Sequence, residues 1–306
     1  MSLERALELA ERGRGTTHPN PVVGAVVVRD GEVVGEGWHE RKGGPHAEVV
    51  ALAAAGERAR GATLYVSMEP CAHHGTTPPC TEAIIAAGVA KVVAGSLDPN
   101  PEARGGFDVL RAAGVEVENA DLFGARVQNE AWRTWVSAQR PFVILKLALT
   151  LDGRVTVPGS RWISGEESRR RVHELRAKVD AVAVGMGTVR ADAPQLTARD
   201  VGAERQPRRL AFGGGPSDLE VRSGPLDEEL RALAAEGVQS LLLEGGPTIA
   251  ASFLREGLID KLMLFFAPRI AGEGLLFGAE PIALSRMHAE QLGEDVLVTA
   301  YVHEPS

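Results

Sequence analysis

The sequence predicts two α/β domains in series, and three observations carry that prediction. At 306 residues the chain exceeds what one hydrophobic core usually serves. Strand-like and helix-like hydrophobic patterns alternate along nearly all of it. Arg140-Pro141 interrupts the alternation near the middle, where proline removes an amide donor and biases its predecessor away from helix. The boundary falls there, giving domains over residues 1–140 and 141–306. No internal repeat relates the halves, so two different folds are expected.

The first domain begins with Leu3, Ala6, Leu7 and Ala10 at helical spacing. VVGAVVVRDGEVVGEGW then reads as two strands joined at Asp30-Gly31, a favoured hairpin turn. Helix HAEVVALAAAGERA follows, then strand TLYVS, a proline-rich loop, helix CTEAIIAAG, strand KVVAGS, helix FDVLRAAG, strand VEVEN, and one long helix over DLFGARVQNEAWRTWVSAQ. In the second domain FVILKLALTLDG is a buried strand running into a turn, HELRAKVD a helix, and DAVAVG a strand followed by the glycine turn GMGT. QSLLLEGG is a buried strand whose loop opens a helix at Pro247, a good first helical residue. KLMLFFAPRI and DVLVTAYVHE are the closing strands.

Composition narrows the function. Hydrophobic residues make up 44% and charged ones 24%, ordinary for a globular protein. A net charge of -8 argues against nucleic acid or an anionic membrane as the main partner, while a small anionic substrate stays compatible with a locally basic pocket. No apolar run approaches the roughly 18 residues of a membrane span, and the start SLERALELAERG lacks a signal peptide's apolar core. A cytoplasmic location is expected. Two cysteines in a reducing compartment point to metal binding or catalysis rather than a structural disulfide.

Both cysteines lie in PCAHHGTTPPC, residues 70–80. A zinc site that activates water needs three protein ligands and an open position, and Cys71 and Cys80 are one ligand short. His46, at a helix start in GGPHAEVV, supplies the third, and Glu48 lies two residues on, placed to move protons without ligating. Zinc deaminases use this set: H-x-E for one ligand and the acid/base, P-C-x-x-C for the others. Here the second cysteine is displaced to position 80.

HAE at 46–48 and the long PCAHHGTTPPC loop resemble the bifunctional riboflavin-biosynthesis deaminase/reductase family, as do THPNPVVGAVVV and DPNP at 98–101. The resemblance implies a cytidine-deaminase-like three-layer α/β/α domain followed by a dihydrofolate-reductase-like α/β domain. It implies deamination of a phosphoribosylated diaminopyrimidinone, a small phosphorylated pyrimidine, to the corresponding uracil. Zinc on His46, Cys71 and Cys80 lowers the pKa of water towards neutrality, and Glu48 is the general acid/base. Asn20, His73 and His74 become candidate substrate contacts; turn and loop roles stay open for them, and DPNP reads as a turn by composition.

In the second domain, Gly185-Met186-Gly187-Thr188 and Gly245-Gly246-Pro247-Thr248 are glycine loops at strand-to-helix junctions, where free amides and the helix dipole suit phosphate. Arg161, Arg169, Arg170, Arg171 and Arg199 read as phosphate ligands or a solvated face, the RRR run favouring the latter. LKLALTLDG, SRWISG, GMGTVRADAPQLTAR and LLLEGGPTIAASFL are similar to the family's reductase segments. The resemblance assigns NADPH to Ala148, Trp162, Thr188, Asp192, Gly246, Pro247, Thr248, Ile249, Ala250, Ala251 and Ser252. It assigns the phosphoribosyl-aminouracil to Ser160, Arg176, Leu196, Arg199 and Glu244, with hydride delivered to C1 of the opened ribose.

Two departures from the family pattern carry expectations. Where the family inserts a further strand-helix-strand passage, only GGGPSDLEVRSG intervenes, too short for a crossover helix. Loss of a strand of the cofactor-side sheet is expected. PEARGGF, after DPNP, is one residue shorter than usual. A second reading follows: a deaminase whose C-terminal domain is a non-catalytic oligomerisation or substrate-holding module. The sequence leaves a homo-oligomer open.

Overall fold

Small apolar residues open the chain: α1 (Ser2–Ala10) buries Ala6, Leu9 and Ala10, with Ala6 and Leu9 packed on Val26 of β1 (Gly24–Arg29). The computed structural model describes residues 2–75 and 78–306. They divide into two compact units, one running through Ala138 and taking in Pro305–Ser306, the other Gln139–Glu304.

In the first unit β1 runs antiparallel to β2 (Glu32–Trp38). Asp30 (φ 51°) and Gly31 (φ 85°) make the turn, both in the left-handed region that the favoured two-residue hairpin demands. Helix α2 (Ala47–Ala55) lies on β2 because Gly35 and Gly37 carry no side chains. A Cβ at Gly35 would sit 2.3 Å from the Ala51 carbonyl oxygen, and one at Gly37 2.5 Å from the Ala51 nitrogen. Then follow β3 (Thr63–Val66), α3 (Cys80–Ala87), β4 (Lys91–Ala94), α4 (Gly106–Ala112) and β5 (Glu116–Asn119). The sheet order is β2-β1-β3-β4-β5, with β3, β4 and β5 parallel. Ala51, Leu64, Val92 and Ile84 are among its buried core.

The one long helix expected over residues 121–139 is two, α5 (Phe123–Gln128) and α6 (Glu130–Ala138). Asn129 breaks it: its φ of -119° is not helical, and its amide bonds elsewhere, as shown below.

The second unit is built on an eight-stranded sheet. Its elements are β6 (Phe142–Thr150), α7 (Glu166–Lys178), β7 (Ala181–Gly185), α8 (Met186–Asp192), β8 (Arg208–Phe212), β9 (Glu220–Arg222), α9 (Leu226–Ala235), β10 (Ser240–Leu243), α10 (Pro247–Arg255), β11 (Lys261–Ala267), β12 (Ser285–Leu292) and β13 (Asp295–Tyr301). The order is β12-β13-β11-β6-β10-β7-β8-β9. The central strands β6, β10 and β7 are parallel and read as near-continuous apolar runs, as strands covered on both faces do. Phe253 and Leu230, from α10 and α9, pack on them.

Three differences from expectation have local causes. GMGT is not a free turn, because Met186 already begins α8 directly after β7. β12 pairs with β13 at the sheet edge and is largely exposed, so its sequence SRMHAEQL carries little apolar signal. The shortened passage has not emptied the sheet edge: β9 pairs parallel with β8, Leu210 opposite Glu220. The link between them contains Gly213 (φ 111°) and Gly215 (φ 136°), conformations that side chains rarely adopt, and residues 213–219 hold no helix. Arg208 and Arg222 pair with Glu220 and Glu236 across this edge.

Candidate functional site: a metal centre and a cofactor cleft

Glu48 and His46 are delivered by the start of α2. His46 caps the helix in extended conformation (ψ 160°) and Glu48 occupies its first turn, 3% exposed. Cys80 opens α3, and its backbone N–H donates to Cys71 Sγ at 3.4 Å. Cys71 therefore faces a helix N-terminus, where the dipole favours thiolate. His46 Nδ1 lies 3.2 Å from Cys80 Sγ and 3.6 Å from Cys71 Sγ. The ligand atoms of His46, Cys71 and Cys80 all fall within 4.8 Å of one another. One imidazole and two thiols converging from three separate segments is the donor set of a zinc site with one position left open, so the residues fit the ion. Thr76 and Thr77 of the cysteine loop lie outside the described residues.

Electrostatics favours the thiolate at one of the two cysteines, which share a hydrogen bond. The hydrogen bond from Cys80, then that from His46, draws the Cys71 thiol down to about 4, while its bond to Cys71 and its burial push Cys80 up. Burial raises the Glu48 carboxyl to about 7, where it can hold or release a proton near neutrality.

The centre opens into a cavity of about 350 Å³ that Asn20, His39, His73, Asp98, Asn100 and Trp132 help line, in the range of small-molecule sites. His39 Nδ1 faces the Pro45 carbonyl at 3.0 Å, which can only accept, so Nδ1 carries the proton. Its Nε2 is then the acceptor for Asn20 Nδ2–H at 3.3 Å, which leaves the Asn20 carbonyl oxygen to the cavity. His74 is not brought in; it lies exposed beside Glu82, 3.2 Å away. Asp98, raised to about 6 by burial, and Asn100 belong to the DPNP turn, so that turn faces the cavity. Asp98, Asn100, His39 and Trp132 were not among the residues singled out by sequence. DPNP was the one signal that pointed there. Glu69 fixes that loop, accepting from the Asp98 and Phe107 amides at 3.2 and 3.0 Å.

In the second unit Arg176 of α7 donates both ways to Glu244, Nε to Oε1 at 2.6 Å and Nη2 to Oε2 at 2.9 Å. Lys146 of β6 lies 3.9 Å from the same carboxylate. Burial lowers the Lys146 ammonium, and the Arg176 and Lys146 charges hold Glu244 below the usual carboxylate range against its burial. A lone lysine inside the buried run FVILKLALT was the signal for Lys146, and it was missed. Arg176 Nη1 also donates to the Thr197 carbonyl at 3.1 Å, which brings up Leu196, buried with φ 56°, and Arg199, bonded to Gln195 and Thr197.

Helix α10 starts at Pro247 with Gly246 as its cap, no side-chain capping bond and no acid in the first turn. Its free amides suit a pyrophosphate. Thr188 of α8 faces this loop, its Oγ1 3.6 Å from where a Gly246 Cβ would be, and Ile249 packs over Gly185 and Gly245. Thr188 and the loop from Gly246 thus form one cradle, and its residues fit a dinucleotide phosphate. Ala148 lies within β6, Asp192 ends α8 in solvent, and Thr248, Ala250, Ala251 and Ser252 belong to the first turns of α10. Trp162 is 52% exposed between Arg161 and Arg169, and Ser160 Oγ donates to its carbonyl at 2.8 Å. Arg170 and Arg171 are taken up by Glu174 and Glu290, the solvated-face reading of the RRR run.

Fold and site together define a zinc-type deaminase domain followed by a reductase domain. Residues 2–96 match the cytidine and deoxycytidylate deaminase zinc-binding region, and residues 141–298 match the RibD C-terminal domain. The riboflavin biosynthesis protein RibD of Aquifex aeolicus is 42% identical, over 97% of this chain and 96% of its own length, and that of Escherichia coli 40% identical over 88% of each. Acinetobacter baumannii RibD superposes with a TM-score of 0.85 at 36% identity, covering 98% of this chain and 97% of that one. A Thermotoga maritima diaminohydroxyphosphoribosylaminopyrimidine deaminase/5-amino-6-(5-phosphoribosylamino)uracil reductase does so with 0.82 at 36%, covering 98% and 97%. The chain belongs to the RibD family of bifunctional deaminase/reductases of riboflavin biosynthesis. The Aquifex aeolicus alignment runs over 342 positions, more than the 306 residues here, so that relative carries residues with no counterpart in this chain. Among the described residues no helix is long and apolar enough to cross a membrane.

Proposed function

We propose that the chain converts 2,5-diamino-6-(5-phosphoribosylamino)pyrimidin-4-one to the aminouracil in its first unit. In its second it reduces the ribosyl side chain of that product to ribityl with NADPH. The observation that carries the reading is the convergence of His46, Cys71 and Cys80 within 4.8 Å beside a buried carboxyl. Bound by those three residues, zinc supplies the Lewis acidity that makes water nucleophilic at neutral pH. Glu48 takes one proton from the attacking water to the ring nitrogen and then carries the remaining hydroxyl proton of the ring adduct to the departing ammonia, transfers that its raised pKa suits. Asn20 accepts from the pyrimidine's N–H groups, and His73 contacts the substrate from the cysteine loop.

In the second unit NADPH, when bound, is the hydride donor. Thr188 and the Gly246–Ser252 start of α10 hold its phosphates, and Ala148, Trp162 and Asp192 are assigned to the rest of the cofactor. Arg176, Glu244, Leu196, Ser160 and Arg199 hold the phosphorylated aminouracil; the guanidinium of exposed Arg199 is the group that meets the phosphate. The enzyme acts in the cytoplasm, where the two ligand thiols stay reduced. Glu48→Gln tests the first step: deamination falls by about 10²–10⁴-fold while zinc stays bound, and undiminished turnover would sink the mechanism.

A further inference from the structure

Two loops line the deaminase cavity, one carrying Asn20 and the other Asp98 and Asn100. Both are tied to the same short helix. The Asn129 side chain, 8% exposed, closes a two-way bond on the backbone of Val22: Val22 N–H donates to Oδ1 at 2.9 Å and Nδ2 donates to the Val22 carbonyl at 2.9 Å. One turn on, Arg133 is 3% exposed, and its Nη1 donates to Ser96 Oγ at 3.2 Å and to the Leu97 carbonyl at 2.9 Å, immediately before Asp98. Its Nε donates to the main-chain oxygen of Ser306. Positions 129 and 133 are four apart and so share a helix face, while Trp132, Trp135 and Val136 of the same helix line the cavity.

Neither anchor is what stability alone would select. Arg133 carries its guanidinium into the interior, where burial lowers its pKa to about 10 against the Asp98 charge that raises it; burying a charge is costly even when it is partly compensated. Asn129 stands at the break between α5 and α6, and its side-chain amide spends both its polar atoms on Val22.

We propose that α6 with its capping Asn129 is a brace that sets the spacing of the two substrate-facing loops, making Asn129 and Arg133 positioning residues for the deamination. The inference rests on the deaminase reading above. Neither residue is among those lining the cavity, so the brace acts on how the loops receive the substrate rather than on the reacting atoms. Loosening the loops therefore raises KM and leaves kcat.

The test uses the full-length, zinc-loaded enzyme and its Asn129→Ala, Arg133→Met and Arg133→Lys variants. KM and kcat for deamination are measured beside zinc content and NADPH-dependent reduction of the deaminated substrate, an internal control in the other unit. Losing the two bonds to Val22 in Asn129→Ala, or the two to Ser96 and Leu97 among the three that Arg133→Met removes, should raise KM about tenfold or more. The brace predicts kcat within about threefold, unchanged reduction and about one zinc per chain, with Arg133→Lys between wild type and Arg133→Met. Should Asn129→Ala not fold, the two Arg133 variants carry the comparison. An unchanged KM in Asn129→Ala and Arg133→Met overturns the brace, as does a KM that rises only together with lost zinc or lost reduction. If wild type itself releases no ammonia from the substrate, it is the functional reading that fails.

Discussion

In the first unit three ligand atoms and one carboxyl meet at a point, buried and drawn from separate segments, and burial outweighs the His46 charge to hold Glu48 raised. The second unit spreads its site over a cleft: a helix N-terminus, a threonine, and an anion already neutralised twice, by Arg176 and Lys146 around Glu244. A metal centre concentrates function in side chains that are rare elsewhere in the chain. A dinucleotide cleft concentrates it in backbone amides and in charges whose partners are also protein, so that binding and stability share the same residues.

That contrast can be broken by substitution. The largest effect is expected at Cys80→Ala, which leaves two ligands where three are required. Zinc content should fall to near zero and deamination by more than about 10⁴-fold, while reduction of the deaminated substrate persists. Loss of both activities would mean that the first unit's metal also supports the second.

Next in size is Glu244→Gln, which removes the carboxylate between Arg176 and Lys146 and leaves two buried cations uncompensated. Breaking such a cluster costs about 3–5 kcal/mol. Thermal unfolding should show that loss with zinc content and deamination intact; a change under 1 kcal/mol would contradict the shared role assigned to this carboxylate.

The smallest effect sharpens the first unit. Burial raises Asp98 from 3.8 to about 6, so between those values the folded chain holds a proton that the unfolded chain has released. Stability from this group therefore declines as pH rises through about 4 to 6 and stays lowered above it. Asp98→Asn should lose that slope and gain on the order of 1–3 kcal/mol at pH 7, measured by denaturant unfolding across the window. An unchanged slope would show that Asp98 ionises as freely folded as unfolded.

The same contrast explains what could be read from the chain beforehand. His46, Cys71 and Cys80 were legible because a metal restricts residue type so strongly that two cysteines and a H-x-E suffice. The hairpin at Asp30-Gly31 and the helix start at Pro247 were legible because their backbone conformations restrict residue choice. Lys146 was not, since a lysine in an apolar run acquires meaning only once Glu244 is beside it. The break at Asn129 was hidden because Asn is tolerated within helical patterns, and only its bond to Val22, distant in sequence, decides the matter. The pairing of the edge strand β9 with β8 could not be read from the chain, because it depends on glycines at φ 111° and 136° turning a short link that holds no helix.

The central claim is that both units work on one substrate in order. Its most direct measurement is a coupled assay with the diaminopyrimidinone, following ammonia release and ribityl product with and without NADPH. The account predicts ammonia release in both conditions and ribityl product only with NADPH. Ammonia release without any ribityl product, together with no saturable NADPH binding, would contradict it and leave a deaminase carrying a non-catalytic second domain.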